Sequence, residues 1–339
     1  LTATGGDAGD INVNADVTSA TGGISISADN DVAFGPSSSV TSTSGTIDIL
    51  ADADTMNSGG PGTGGAVTIG DNVSISTASA VSITADGDID DTADMGGPMG
   101  TLSGSQITLT SNNGEIGGTT AIDTATTALI ASGKTGVRVT NTGDVVANLD
   151  SDMGQVRFNN TGTVGMSDAW NADAFTVGAT GAISVTENIS ADNGDAIVSS
   201  DGVITVQAGN SITTTSGNIE INASDLTLDG TLDSGMDDIA IGRSAAGTLG
   251  VGTATGDMTI SGDELQRMTG DRVTLGGGNV TGITVAGVTE ANTANFNLLN
   301  LDATRDDATI TFNGSASTFE ALTAAADDAD ILIVNTCSF

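Results

Sequence analysis

The sequence predicts an all-β chain wound as a parallel β-helix, a solenoid of roughly 20-residue coils, and three observations predict it. Apolar–polar–apolar triplets recur throughout the 339 residues, and alternation with period two marks a strand with one buried face. Successive triplets stand mostly about 19–21 or 13–15 residues apart. Two step sizes are what a solenoid gives when each coil carries two or three short strands. Between the triplets lie Gly, Asn, Asp, Ser and Thr, the residues that turn a chain, whereas Pro occurs only three times.

Taken in order, the strands are centred on Ile11/Val13, Ile24/Ile26, Ile47/Ile49, Val67/Ile69, Val81/Ile83, Ile107/Leu109 and Val137/Val139. They continue through Val156/Phe158, Phe175/Val177, Ile183/Val185, Ile204/Val206, Ile219/Ile221, Ile239/Ile241 and Met258/Ile260. Val273/Leu275, Ile283/Val285, Phe296/Leu298, Ile310/Phe312 and Ile331/Ile333 complete the series. Longer gaps read as insertions, among them the Met- and Gly-rich stretch from Asp94 to Gly104. Gly23, Gly45, Gly136, Gly181, Gly202 and Gly282 stand where strands begin, where a sharp bend at positive φ suits glycine. Proline is scarce because it cannot donate to the ladders that join coils. Helical spacing occurs only at Asp263–Met268 and Ser317–Ala326, read as single-turn caps or corner excursions. The expectation is one continuous unit over residues 1–339, some 17 coils and about 80 Å long at about 4.8 Å per coil.

A string of immunoglobulin-like sandwiches is the competing all-β reading. Such domains need strands of about 5–8 residues around an aromatic core, whereas aromatics make up 2% of this chain. Stacked Ile and Val suit a solenoid better.

The runs GTIDILADAD, GAISVTENISADNGD, GVITVQAGNSITTTSG and GNIEINASDLTLDGTLDSG, with SGDELQRMTGDRVTLGGGNVTGITV from Ser261 to Val285, resemble the repeats of filamentous-haemagglutinin-like bacterial adhesins. The resemblance covers essentially the whole chain and is one of repeat grammar. It implies a right-handed β-helix, export to the bacterial cell surface, and adhesion or matrix building. A chain opening on Leu1 then reads as a processed product or a segment of a larger exported protein.

Composition narrows the function. Forty-three Asp and Glu against seven Lys and Arg leave a net charge of −36, which argues against nucleic acid and anionic lipid. No apolar run approaches the roughly 18 residues that span a bilayer. With no His and one Cys, His-based acid–base chemistry, a Cys/His dyad and a His/Cys zinc site are unavailable. A β-helical polysaccharide lyase or glycoside hydrolase is the enzyme alternative, because paired carboxylates abound. The chain offers it one Trp, seven Phe and few cations, and the reading is non-enzymatic.

The candidate site is a calcium site at Asp86, Asp88, Asp90, Asp91 and Asp94, since calcium takes six to eight oxygens and stacked corners supply carboxylates. Asp52/Asp54, Asp150/Asp152, Asp192/Asp195, Asp306/Asp307 and Asp327/Asp328/Asp330 form smaller acidic groups. The alternative is that Asp ends strands and keeps the chain soluble. Arg138 and Arg157, 19 residues apart, are expected to stack outward as a small basic spot, or else to pair with neighbouring carboxylates. Outward Thr68, Thr108, Thr205, Thr259 and Thr284 suggest an ice- or mineral-binding array, but Asp48, Arg138, Arg157 and Glu220 are expected to interrupt it. Trp170 reads as a loop residue, either an aromatic covering a corner or an exposed anchor. Cys337 reads as a small buried residue or a link to another chain. Uncapped terminal coils would expose strand edges, so the expected partners are further coils of the same polypeptide or identical subunits end to end. A host or cell-surface glycan or protein is the adhesive partner.

Overall fold

Strands with one apolar face need both ladder neighbours and a shared interior, and a coil supplies the two at once. The computed structural model describes residues 1–4, 9–52, 64–92, 99–327, 331–334 and, for the backbone, 337–338. It is 57% strand and 2% helix, with strands stacked in parallel as a β-solenoid of about 14 turns. That is fewer than the 17 expected, because the coils are longer than 20 residues. Along one face, Ile24, Ile47, Val81, Ile107, Leu129 and Ala147 are ladder partners at steps of 23, 34, 26, 22 and 18 residues. Every triplet identified above falls within a strand. The chain divides into two compact units.

The first unit comprises Leu1–Thr163 and Trp170–Asp173. Each coil has three faces. The first is the Ile24–Ala147 ladder. The second runs Ile11, Val32, Val67, Ile89, Ile116, Val137, Val156. The third runs Val17, Val40, Ile75, Leu102, Thr124, Asn141, Asn160. Aliphatic members are almost all sealed from solvent, which contributes about 1.5–3 kcal/mol per large side chain. The third column turns polar without leaving buried groups unpaired. Thr124 Oγ1 donates to Asn141 Oδ1 at 3.0 Å, Asn141 Nδ2 to Asn160 Oδ1 at 2.9 Å, and Asn160 Nδ2 to the Thr163 carbonyl at 2.9 Å. At Gly136–Thr142 the second and third faces merge into one strand, which pairs with both Glu115–Ile116 and Ile122–Ala125.

The second unit comprises Val164–Ala169 and Ala174–Phe339. Its main ladder runs Phe175, Ala196, Ile219, Ile239, Val273, Leu299, Leu322. The 34-residue step from Ile239 to Val273 houses an extra strand, Met258–Ile260, and a helical turn, Gly262–Leu265. Ser261 and Glu264 close a reciprocal capping box on that turn, which accounts for the helical spacing read at Asp263–Met268. The other stretch, Ser317–Ala326, is not helical. Ser317–Thr318 and Leu322–Ala326 join ladders with Cys337–Ser338 and Phe296–Ala303, and ladder pairing overrides a weak local preference. In Phe296–Ala303 the inward residues are Phe296, Leu299, Leu301 and Ala303 rather than Leu298. The neighbouring strand changes parity at the facing residue, Arg272, so the two strands turn a corner together.

Glycine has a different role at the predicted positions. None of those six is among the positive-φ residues. Gly45 and Gly202 are needed for close approach: an added Cβ would lie 2.3 Å from the Gly22 carbonyl carbon and 2.8 Å from the Ala182 nitrogen respectively.

Candidate functional site

Side chains at strand boundaries here tie one coil to the next, aspartates just before strands and serines at their ends. Asp31 Oδ1 accepts from the Ala66 N–H at 2.8 Å, Asp144 Oδ1 from Thr163 at 2.8 Å and Asp195 Oδ1 from Asn218 at 2.7 Å. Inward Ser42 and Ser111 donate to the carbonyls of Gly22 and Gly87, 2.9 and 2.7 Å away in the preceding coil. Such bonds satisfy backbone groups that a corner would otherwise orphan.

The acidic run obeys the same rule. Asp86 accepts from Asn113 Nδ2 at 2.8 Å, Asp88 from the Glu115 N–H at 2.9 Å and Asp90 from the Gly118 N–H at 3.0 Å. Asp91, on the opposite face of its strand and buried, accepts from the Gly100 N–H at 3.0 Å. The four described residues therefore do not converge on one point: alternation sends Asp88 and Asp90 outward and Asp91 inward. Asp94 lies outside the described residues, as do Asp54, Asp328 and Asp330. Among the described residues, no group of three or more His, Cys, Asp or Glu is placed to hold a metal ion.

Beside this run lies a groove that the sequence shows only in part. Ile89, Ile116, Val137 and Val156 are successive ladder partners. Their outward neighbours consequently form two columns. One carries Asp88, Glu115, Gly136 and Gln155; the other carries Asp90, Gly117, Arg138 and Arg157. Gly117 and Gly136 leave a gap between an acidic wall and a basic wall. The resulting groove, about 180 Å³, is lined by Glu115, Gly118, Thr135, Arg138, Gln155 and Arg157, among others. Arg138 and Arg157 are ladder partners, as their spacing predicts. Pairing with carboxylates is corrected, however. Arg138 Nη1 donates to the Thr119 carbonyl at 2.5 Å and Arg157 Nε to Gln155 Oε1 at 2.6 Å. Among the described residues, the ion pairs are Lys134–Asp152 and Arg272–Asp238. Glu115 is the member that sequence reasoning missed; the signal was its place directly before Ile116, in register with Asp88.

The acidic wall is electrostatically loaded. Burial is the main cause lifting the Asp90 carboxyl above its ordinary range; the Gly118 N–H opposes it and the charge of Asp88 adds to it. Glu115 is raised by burial and then by Asp90 and Asp88. For an acid whose pKa is raised by folding, the ionised form opposes folding above that pKa, and the opposition fades as pH falls through it. Asp144 runs the other way: the Thr163 N–H and hydroxyl lower its pKa, so its stabilisation is lost as pH falls. Asp90→Asn keeps an oxygen for Gly118 and removes the charge. It is expected to unfold at a higher temperature than the parent at pH 7, with the difference closing by about pH 4. A variant less stable than the parent at pH 7 would contradict this.

Other sequence candidates resolve structurally. Trp170 lies in the strand Trp170–Ala172, fully buried, so neither the loop nor the exposed anchor holds. The outward Thr residues do not form one array. The column through Thr108 holds Ser25, Asp48, Ser82, Ile130 and Asn148, whereas Arg138 and Arg157 face each other on a different face of the first unit and Glu220 pairs within the second unit. Cys337 lies in a two-residue strand paired with Ser317–Thr318.

The chain matches no protein-family model, no curated protein and no solved structure. The class that its ladders define is a parallel β-solenoid.

Proposed function

We propose that this solenoid is a structural and adhesive segment of an exported bacterial surface protein, of the kind its repeats resemble, with no catalysis of its own. The observation that carries the reading is the use of the side chains. Inward aliphatics, buried Ser, Thr and Asn, and corner aspartates are spent on holding each coil to the next. That suits a stiff scaffold at the cell surface, with one unbroken coil sequence over residues 1–339 as part of the proposal. Calcium enters it only as a loosely held counter-ion of the acidic face. Unfolding midpoints in chelator and in millimolar calcium are therefore expected to agree within about 2 °C, the shift that under ~1 kcal/mol produces in a unit of this size. A clearly larger rise with calcium would mean a structural ion.

One observation favours a second reading, a self-assembling extracellular filament. The strand Ile331–Ile333 is the last of a five-stranded sheet, and Ile331, Leu332, Ile333 and Val334 are 44–58% exposed. An apolar strand at a sheet edge pairs with a further strand, either of the same polypeptide or of an identical subunit. Electron microscopy of purified protein separates the two, as discrete particles support the surface segment and open-ended filaments the fibre. Incubation with a polysaccharide panel tests the whole proposal. No release of reducing ends or unsaturated sugars is expected, and turnover would overturn it in favour of a lyase or hydrolase.

A further inference from the structure

We infer that the groove between Glu115 and the Arg138–Arg157 pair is a binding site for a small hydroxylated carboxylate, a single sugar-acid residue, whose carboxylate lies across the two guanidinium groups. The inference does not depend on the structural role above. In a chain with 43 acids and seven cations, two of the seven are stacked as ladder partners about 4.8 Å apart, where they repel. Neither forms an ion pair among the described residues. Each guanidinium has five N–H donors, and the bonds to Thr119, Gly118 and Gln155 engage only Nη1 of Arg138 and Nε of Arg157. Both residues line the groove, and their remaining donors suit a carboxylate, which guanidinium groups bind through paired N–H bonds.

The opposite wall selects what the carboxylate is attached to. Glu115, Gln155 and Thr135 line the groove with groups that bond hydroxyls, and no aromatic platform is present there. The volume, about 180 Å³, is below the roughly 300–1,000 Å³ of sites that enclose larger ligands, so the groove engages about one sugar residue. Glu115 stands one coil from Arg138 and two from Arg157, and Asp88 and Asp90 one coil further away, which disfavours a doubly charged anion such as sulfate relative to a monoanion bearing hydroxyls.

The test is a titration of the intact chain with sodium D-glucuronate by calorimetry and ligand-observed NMR, beside D-glucose and sulfate. Saturable glucuronate binding is expected, at least tenfold tighter than either control and weakening as salt rises. Arg157→Gln and the double variant Arg138→Gln/Arg157→Gln should each weaken it at least tenfold. Arg157 is exposed, so its variant should keep the parent unfolding midpoint, and Arg157→Lys gives a second variant that keeps the charge but loses the fork. No saturation, equal binding of glucose, sulfate binding as tight as glucuronate, or unchanged binding in the arginine variants would each overturn the inference.

Discussion

Ile83→Asp is expected to unfold the first unit at temperatures where the parent is fully native, with a loss of at least ~4–5 kcal/mol. Ile83 is 0% exposed and stacks between Ile49 and Leu109, themselves sealed in the same column. A carboxylate there loses its hydration and meets only aliphatic neighbours along its column, the costliest kind of substitution a core can receive. Thr84→Asp on the same strand is the control, because alternation turns residue 84 outward; it should stay within about 0.5 kcal/mol of the parent. Circular dichroism during urea or thermal unfolding reads both. Equal losses in the two variants would mean that the two faces of the strand are not distinguished by burial.

Trp170→Ala carries the second large effect, a loss of about 3–5 kcal/mol. The indole is buried edge-on to Phe158, with ring centres 6.3 Å apart and planes at 78°, and its Nε1–H donates to the Ala147 carbonyl at 3.1 Å. Truncation empties a large volume and removes that donor from a buried carbonyl. The midpoint of the first unit should fall by about 10 °C. Trp170→Phe should lose much less. Since this is the chain's one tryptophan, its fluorescence reports the site directly: blue-shifted emission, protected from soluble quenchers, is expected. Water-like emission would place Trp170 at the surface.

The alternating aliphatic pairs made the ladders legible because period two has one physical solution, a strand with one dry face. Several strands stayed hidden, Val32–Phe34 and Asp225–Leu228 among them although their inward residues are apolar, and two others for local reasons. Ile122–Ala125 points Thr124 inward, and Trp170–Ala172 follows SDA, which reads as a turn. In the first case buried hydrogen bonds replace aliphatic contact, so the pattern resembles a loop. Those unseen faces and the insertions together make the coils longer than the spacing suggests. Positive φ fell at Gly117 and other sites instead of the strand starts, where Gly45 and Gly202 serve close approach between coils. At the groove, the 19-residue step exposed the Arg138–Arg157 stack. Glu115 became its neighbour only through the register of Ile89, Ile116 and Val137, information that no local motif carries.

Successive coils lying parallel and in register is the claim on which the rest depends, and paired cysteines test it. In a Cys337→Ser background, Ala80→Cys/Gln106→Cys and Thr84→Cys/Thr110→Cys join outward ladder partners, at a separation a disulfide spans. Both pairs should oxidise readily in the native protein, whereas the crossed pairs, Ala80→Cys/Thr110→Cys and Thr84→Cys/Gln106→Cys, should not. An antiparallel hairpin centred on Ser82 and Thr108 would reverse that outcome, and closure of the crossed pairs alone would contradict the solenoid.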